Sequence, residues 1–199
     1  GYACRGEIPG VGGKDTGRAF INNVEGLKKV KINMDVCFEP GDVSTETEIL
    51  GMKMSMPVFS APVAGIENNY GYEISEYDYS CLMLKGCRNA GILGFTGDVI
   101  NLEELFVKPA TAISDLGGMG IATIKPWVKE GVDARIEALK GLNVAMAAMD
   151  VDAAGLPLLR AGKTPVETKG VEQLRYIREA LNKKFIVKGV MTVHAAETA

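Results

Sequence analysis

The sequence is poor in the residues from which metal sites and disulfide frameworks are built. It contains one histidine, and its four cysteines, Cys4, Cys37, Cys81 and Cys87, are spaced too widely for a zinc site. Four cysteines are also too few for the disulfide framework of a small secreted protein. We therefore expect free thiols, a cytoplasmic location and no bound metal.

Long hydrophobic runs and an excess of positive charge are also missing. No apolar run approaches the roughly 20 residues that a membrane-spanning helix needs. The 22 basic and 25 acidic residues give a formal charge of −3, which argues against nucleic acid and membranes as partners. With 47% hydrophobic and 24% charged residues, the composition is instead typical of a globular domain with a sizeable core.

Short apolar runs alternate with amphipathic stretches after Pro57. Each run is apolar throughout, which is typical of strands that are covered on both faces in a parallel sheet. The stretches between them place apolar residues at helical spacing, for example Ile74, Tyr77, Cys81 and Leu84, or Val171, Leu174, Ile177 and Leu181. The five predicted strands are 57–63, 91–97, 120–126, 143–151 and 184–190.

The spacing of these strands favours a barrel. Their starts (57→91→120→143→184) lie 34, 29, 23 and 41 residues apart, and a (β/α)₈ barrel of about 250 residues allots roughly 31 residues to each unit. A doubly wound sheet remains possible, but no G-x-G-x-x-G fingerprint lies between a strand and a helix. We predict an α/β fold: a TIM barrel of which about the first five βα units occupy 57–199, after a Gly-rich arm and a pre-barrel segment at 1–56.

Polar residues follow the apolar strands at the end where such folds place their sites. Thr96, Lys125, Asp150 and Lys188 end four of the runs, and Asp152 stands two residues after Asp150. Residues two apart in a strand point to the same side, so both aspartates are expected near the two lysines in a charge-balanced cluster. A structural Lys–Asp network that bridges neighbouring strands would satisfy the same groups.

Three segments resemble a known enzyme family. They are VSTETEILGMKMSMPVFSAPVAG at 43–65, AMDVDAAGLP at 148–157 and FIVKGVMTVHAAETA at 185–199. Together they resemble the FMN-dependent α-hydroxy acid oxidase and dehydrogenase family, to which glycolate oxidase and lactate oxidase belong. The motifs FTGD, T-x-KPW and DVDAAGLP point to a bacterial branch of that family.

The resemblance implies a (β/α)₈ barrel that holds FMN at the carboxyl ends of its strands. The backbone of Pro62, Val63 and Ala64 would border the isoalloxazine ring. Thr96 falls near a flavin-contacting serine, with an alignment that could shift by one residue to Gly97.

Two charged residues match catalytic positions of the family. Lys188 matches a lysine whose ammonium approaches the flavin N1 and C2 carbonyl, where a fixed cation stabilises the negative charge of the reduced ring. Asp152 matches an aspartate that orients the catalytic histidine.

Other positions depart from the family pattern. Thr123 replaces a glutamine, Asp150 replaces a threonine, and Lys125 replaces a tyrosine that contacts the substrate. The resemblance thus places Thr123 and Asp150 at the cofactor and Lys125 at the substrate. Leu159 stands where a substrate-binding arginine is expected, with Arg160 one position beyond. This departure puts the oxidation of lactate and glycolate in doubt.

The family's catalytic histidine and a further arginine form a His-Gly-Gly-Arg motif just beyond the position of Ala199. His194 does not match that histidine, and we expect it on a helix surface. The sequence also begins with Gly1 and stops in the first turns of a helix. We therefore expect an incomplete fragment that is inactive, binds FMN weakly by itself and forms a homo-oligomer through its open strand edges.

For the parent enzyme, the resemblance implies an FMN-dependent oxidoreductase that acts on a small 2-hydroxy acid or a related small molecule. One alternative is another FMN- or phosphate-binding barrel enzyme, such as a flavin-dependent isomerase. The other is a non-catalytic half-barrel interaction module.

Overall fold

The computed structural model describes residues 18–71, 73–160 and 165–199. The strands are β1 Thr47–Ile49, β2 Met52–Met54, β3 Phe59–Val63, β4 Leu93–Thr96, β5 Ile121–Ile124, β6 Met146–Asp150 and β7 Lys184–Lys188. The helices are α1 Arg18–Lys29, α2 Ile66–Tyr70, α3 Glu76–Asn89, α4 Lys108–Asp115, α5 Lys129–Lys140, α6 Pro157–Arg160, α7 Val171–Leu181 and α8 Val193–Thr198. A π-helical turn, Glu103–Val107, precedes α4, and a 3₁₀ turn, Val151–Gly155, follows β6.

Five of the strands form one parallel sheet in the order β3-β4-β5-β6-β7. Spatial order follows sequence order, as in a TIM barrel, whereas a doubly wound sheet reverses direction partway across. Each strand lies within one of the five predicted apolar runs. The predicted α/β fold with a partial barrel is therefore confirmed.

The helices cover the outer face of this sheet. Alternate residues of β5 and β6, such as Ile124 and Met149, join a core cluster with residues of α3, α4, α5 and α7. The apolar spacing that predicted α3 and α7 is explained by this contact, because Leu84 and Ile177 are fully buried there. Asn182 ends α7 with a φ of 47°, the left-handed conformation typical of a helix C-terminus.

A hairpin covers the inner face of the sheet at the amino ends of its strands. Leu50 and Gly51 join β1 to β2 with φ values of 55° and 73°, as in a type I′ turn. Met54 of this hairpin is buried in a second cluster with the first residues of β4, β5 and β6, which are Leu93, Ile121 and Met146. The opposite, carboxyl ends of the strands are therefore the end available for a site.

Sequence reasoning did not predict α1 or the β1–β2 hairpin. Both lie in the segment that was expected to precede the barrel, and the boundary at residue 57 stays a prediction. The Gly-rich arm was expected to cover residues 1–18. Arg18 instead begins α1, and residues 1–17 lie outside the described residues. None of the helices in the described ranges has the length and apolar character needed to cross a membrane.

Candidate functional site

Three charged side chains meet where β5, β6 and β7 end. Asp150 pairs in register with Lys188, and Ile124 pairs with Met149, so Lys125 comes next to Asp150. The Asp150 carboxylate bridges the two lysines: its Oδ2 lies 2.6 Å from Lys125 Nζ and its Oδ1 lies 2.7 Å from Lys188 Nζ. We call Lys125, Asp150 and Lys188 the site cluster.

The electrostatics of the site cluster favour an ionised carboxylate. Burial alone would raise the pKa of Asp150, but the charges and hydrogen bonds of Lys125 and Lys188 outweigh burial and hold this pKa below its ordinary value. The Lys188 side chain is 38% exposed, whereas the Asp150 side chain is only 6% exposed. Two ammonium groups and one carboxylate leave one positive charge for an anionic ligand.

Asp152 does not join the site cluster in the way that strand spacing predicted. Strand β6 ends at Asp150, and Asp152 lies in the following 3₁₀ turn, where its side chain is exposed. It packs instead against Gly189, where a Cβ atom would come within 2.3 Å of Asp152 Oδ1. Gly189 thus allows the carboxylate to approach the backbone directly after Lys188.

A small pocket opens beside Lys125, between the ends of β3 and β4. Its volume is about 180 Å³, and Pro62, Val63 and Ala64 form one wall. Gly97 also lines the pocket and lies directly against this wall, since a Cβ atom there would come within 2.6 Å of Ala64 Cβ and 2.8 Å of the Val63 carbonyl carbon. The pocket therefore brings together Lys125 and the three backbone positions that the resemblance assigned to the flavin ring.

The two threonines singled out from the sequence lie on different faces of the sheet. Thr123 alternates with Ile121 and Lys125, so it faces the barrel interior; its buried hydroxyl has no hydrogen-bond partner among the described residues. Thr96 is also buried, but it alternates with Phe95, which packs on the interior cluster. Its side chain is therefore directed toward the helix layer, and Gly97 takes the interior side.

Sequence reasoning missed a buried ion pair beside the pocket, one member of which, Asp98, lines the pocket. Asp98 is almost completely buried, and its Oδ2 accepts hydrogen bonds from Arg135 Nε at 2.7 Å, Trp127 Nε1 at 2.6 Å and the Lys125 amide at 2.8 Å. The Arg135 guanidinium stacks 4.6 Å from the centre of the Trp127 ring. One signal could have identified Asp98, since it is a charged residue two positions beyond an apolar strand.

The remaining sequence candidates lie away from this pocket. His194 is exposed on α8, as expected. On α6, Leu159 is buried and Arg160 is exposed. The structure thus gives the position of the expected substrate-binding arginine to a core side chain.

Comparison with solved structures supports the barrel assignment. A lactate oxidase from Pediococcus acidilactici superposes with a TM-score of 0.71 at 18% identity, covering 97% of this chain and 59% of the other. A mandelate oxidase bound to (S)-mandelic acid superposes with a TM-score of 0.69 at 19% identity, covering 98% of this chain and 61% of the other. The chain therefore spans about three fifths of the length of these structures.

Sequence comparison identifies the family. A comparison with curated proteins finds no match. The family model described as FMN-dependent dehydrogenase matches residues 11–155, which is well over half of the chain. This match includes β3 to β6 with the pocket and two members of the site cluster, and the chain belongs to the FMN-dependent dehydrogenase family.

Proposed function

We propose that the protein is an FMN-dependent oxidoreductase that acts on a small 2-hydroxy acid or a related substrate. The observation that carries this proposal is the site cluster, which gathers two ammonium groups around one buried carboxylate at the carboxyl ends of three adjacent strands. Family membership supplies the reaction class. The position agrees with the general location of active sites in TIM barrels.

The residues present fit an FMN ring at this end of the barrel. Lys188 offers a cation whose side chain is 38% exposed, and the Thr123 hydroxyl is buried with its hydrogen-bonding capacity unused among the described residues. The backbone of Pro62–Ala64 borders an open pocket that Lys125 also lines. When bound, FMN would accept the two electrons that leave the substrate.

Each residue of the site then has a proposed role. Lys188 stabilises negative charge at the edge of the cofactor, and Asp150 holds both lysines in place. Lys125 binds the acidic group of the substrate, since it stands between the pocket and Asp150. Asp152, which is exposed next to Gly189, orients the catalytic histidine of the family. Thr96 acts from the helix side of β4, by supporting the Gly97 segment.

Anaerobic mixing of the FMN-loaded, full-length gene product with a panel of 2-hydroxy acids tests this proposal. We expect the visible flavin absorbance to bleach in proportion to the 2-oxo acid formed. A flavin-dependent isomerase would convert substrate without net bleaching, and a non-catalytic module would show neither change. Either result would contradict the proposal.

We also propose a cytoplasmic homo-oligomer. Cys37, Cys81 and Cys87 are free thiols, as in reducing compartments. A row of large apolar side chains in 30–38 is exposed, comprising Val30, Ile32, Met34, Val36 and Phe38. Apolar surface of this extent is typical of an interface. Light scattering of the full-length gene product tests this proposal, and a monomer at micromolar concentration would contradict it.

A further inference from the structure

The buried pair of Asp98 and Arg135 connects three parts of the chain beside the pocket that Asp98 and Lys125 line. Asp98 follows β4, Arg135 lies on α5, and the two other donors to Asp98 Oδ2 come from the segment after β5. Arg135 is itself fixed, because its Nη1 and Nη2 donate to the carbonyls of Gly131 at 3.1 Å and Val99 at 2.9 Å.

The net contribution of this ion pair to the stability of the fold is small, because burying its two charges costs free energy. A buried ion pair recovers roughly what its desolvation costs, so a well-packed apolar pair would stabilise the core as well or better. Its geometry is more informative, since three donors converge on a single carboxylate oxygen. Such an oxygen fixes the relative positions of its donors, one of which is the Lys125 amide.

We propose that Asp98, held by Arg135, is a positioning residue of the site: it fixes the Lys125 main chain and the Trp127 side chain, so that the Lys125 ammonium is directed at Asp150. The inference rests on the proposed function only in treating the site cluster as the ligand-binding site.

Contacts on the other side of the same segment agree with this role. Lys169 Nζ donates to the Trp127 carbonyl at 2.6 Å, and the Glu167 amide donates to the Pro126 carbonyl at 2.8 Å. The segment after Lys125 is thus held from both sides, and Asp98 is the contact that reaches the Lys125 amide. The Lys125 side chain has four rotatable bonds. Its ammonium therefore stays 2.6 Å from Asp150 at a lower cost in conformational entropy when the Lys125 backbone is fixed.

The pKa of Asp150 in the ligand-free, full-length gene product tests the inference, measured by ¹³C NMR of labelled aspartate and assigned with Asp150→Asn. Asp98→Asn alone leaves Arg135 buried without a counter-charge and can prevent folding. The test variant is therefore Asp98→Asn/Arg135→Gln, which removes both charges and keeps similar size. Asp133→Asn, on the same helix as Arg135, is the matched control.

We expect Lys125→Met to raise the pKa of Asp150 by about one unit, because a nearby cation lowers a carboxyl pKa by 1 to 3 units. The test variant should raise this pKa by about half a unit when Lys125 is present. In the Lys125→Met background, the test variant should not raise the pKa of Asp150 further. The control, Asp133→Asn, should leave this pKa unchanged.

If the pair were purely structural, the test variant would lower the free energy of unfolding and leave the pKa of Asp150 unchanged. That result would overturn the inference. An equal rise with and without Lys125 would overturn it as well, since Asp98 would then act on Asp150 by another route. No cofactor or substrate is present in this measurement. Failure of the FMN proposal therefore appears in different experiments from failure of this inference.

Discussion

Asp150 is the residue on which both lysines of the site cluster converge. We predict that Asp150→Asn lowers the free energy of unfolding at pH 7 by about 1–3 kcal/mol, because two partly exposed ammonium groups lose their counter-charge. The pKa of Asp150 is held below 3.8, so its ionised form contributes stability above pH 3.8 and loses this contribution as the pH falls through the folded-state pKa.

Urea denaturation at a series of pH values checks this prediction. The difference between the native protein and Asp150→Asn should be constant from pH 7 to pH 5 and should shrink below pH 3.8. If the difference in free energy of unfolding grew on acidification, the folded protein would stabilise Asp150 in its protonated form, which would contradict the prediction.

Lys188 permits a comparison within one strand. We predict that Lys188→Met slows flavin reduction by about tenfold to a hundredfold, because a fixed charge aimed at developing negative charge acts mainly on the reaction. FMN affinity should change less. Lys184→Met is the control, since Lys184 begins the same strand at the end covered by the hairpin. Stopped-flow reduction with equal rates for Lys188→Met and the native protein would remove Lys188 from the reaction.

Among the elements, β4 contains Gly94 and is followed directly by Gly97, and substitution of these two glycines should have different consequences. A Cβ at Gly97 would collide with the backbone of Val63, whereas a Cβ at Gly94 would first meet the flexible end of Met83. We therefore predict that Gly97→Ala displaces the pocket wall and weakens FMN binding by about tenfold or more, at 1.4 kcal/mol per tenfold.

Gly94→Ala is the matched control for this prediction. It should lower stability modestly and leave FMN affinity close to native, because its neighbours belong to α3 and not to the pocket. Fluorescence titration with FMN measures both affinities. Equal affinities for the two variants would show that the wall formed by Val63 and Ala64 does not contact the cofactor.

The strands were predictable because short runs that are apolar throughout, and far too short to span a membrane, are typical of strands covered on both faces of a parallel sheet. The meeting of Lys125, Asp150 and Lys188 was predictable for a related reason, since parallel strands bring their carboxyl ends together. The Asp98–Arg135 pair was not, because its partners lie 37 residues apart and meet only through the packing of α5. The position of Asp152 was also missed, since strand spacing does not reveal that β6 ends at Asp150.

For the whole molecule, the charge of the site bears on substrate choice. Leu159 is buried where the resemblance expects an arginine, so Lys125, which is also paired with Asp150, has to bind the acidic group of the substrate without that arginine. We therefore predict weak or no turnover of lactate and glycolate by the full-length gene product. Oxygen-consumption and dye-reduction assays measure this turnover, and a kcat of about 10 s⁻¹ or more for either acid would contradict the prediction.

The central claim is that the carboxyl end of this barrel holds FMN beside the site cluster. The most direct test is the visible spectrum of the purified full-length gene product together with the amount of FMN released when it is denatured. The account predicts a yellow protein that releases close to one FMN per chain, or a colourless one that binds one FMN per chain on titration. A folded protein that binds no FMN at micromolar concentration would contradict it.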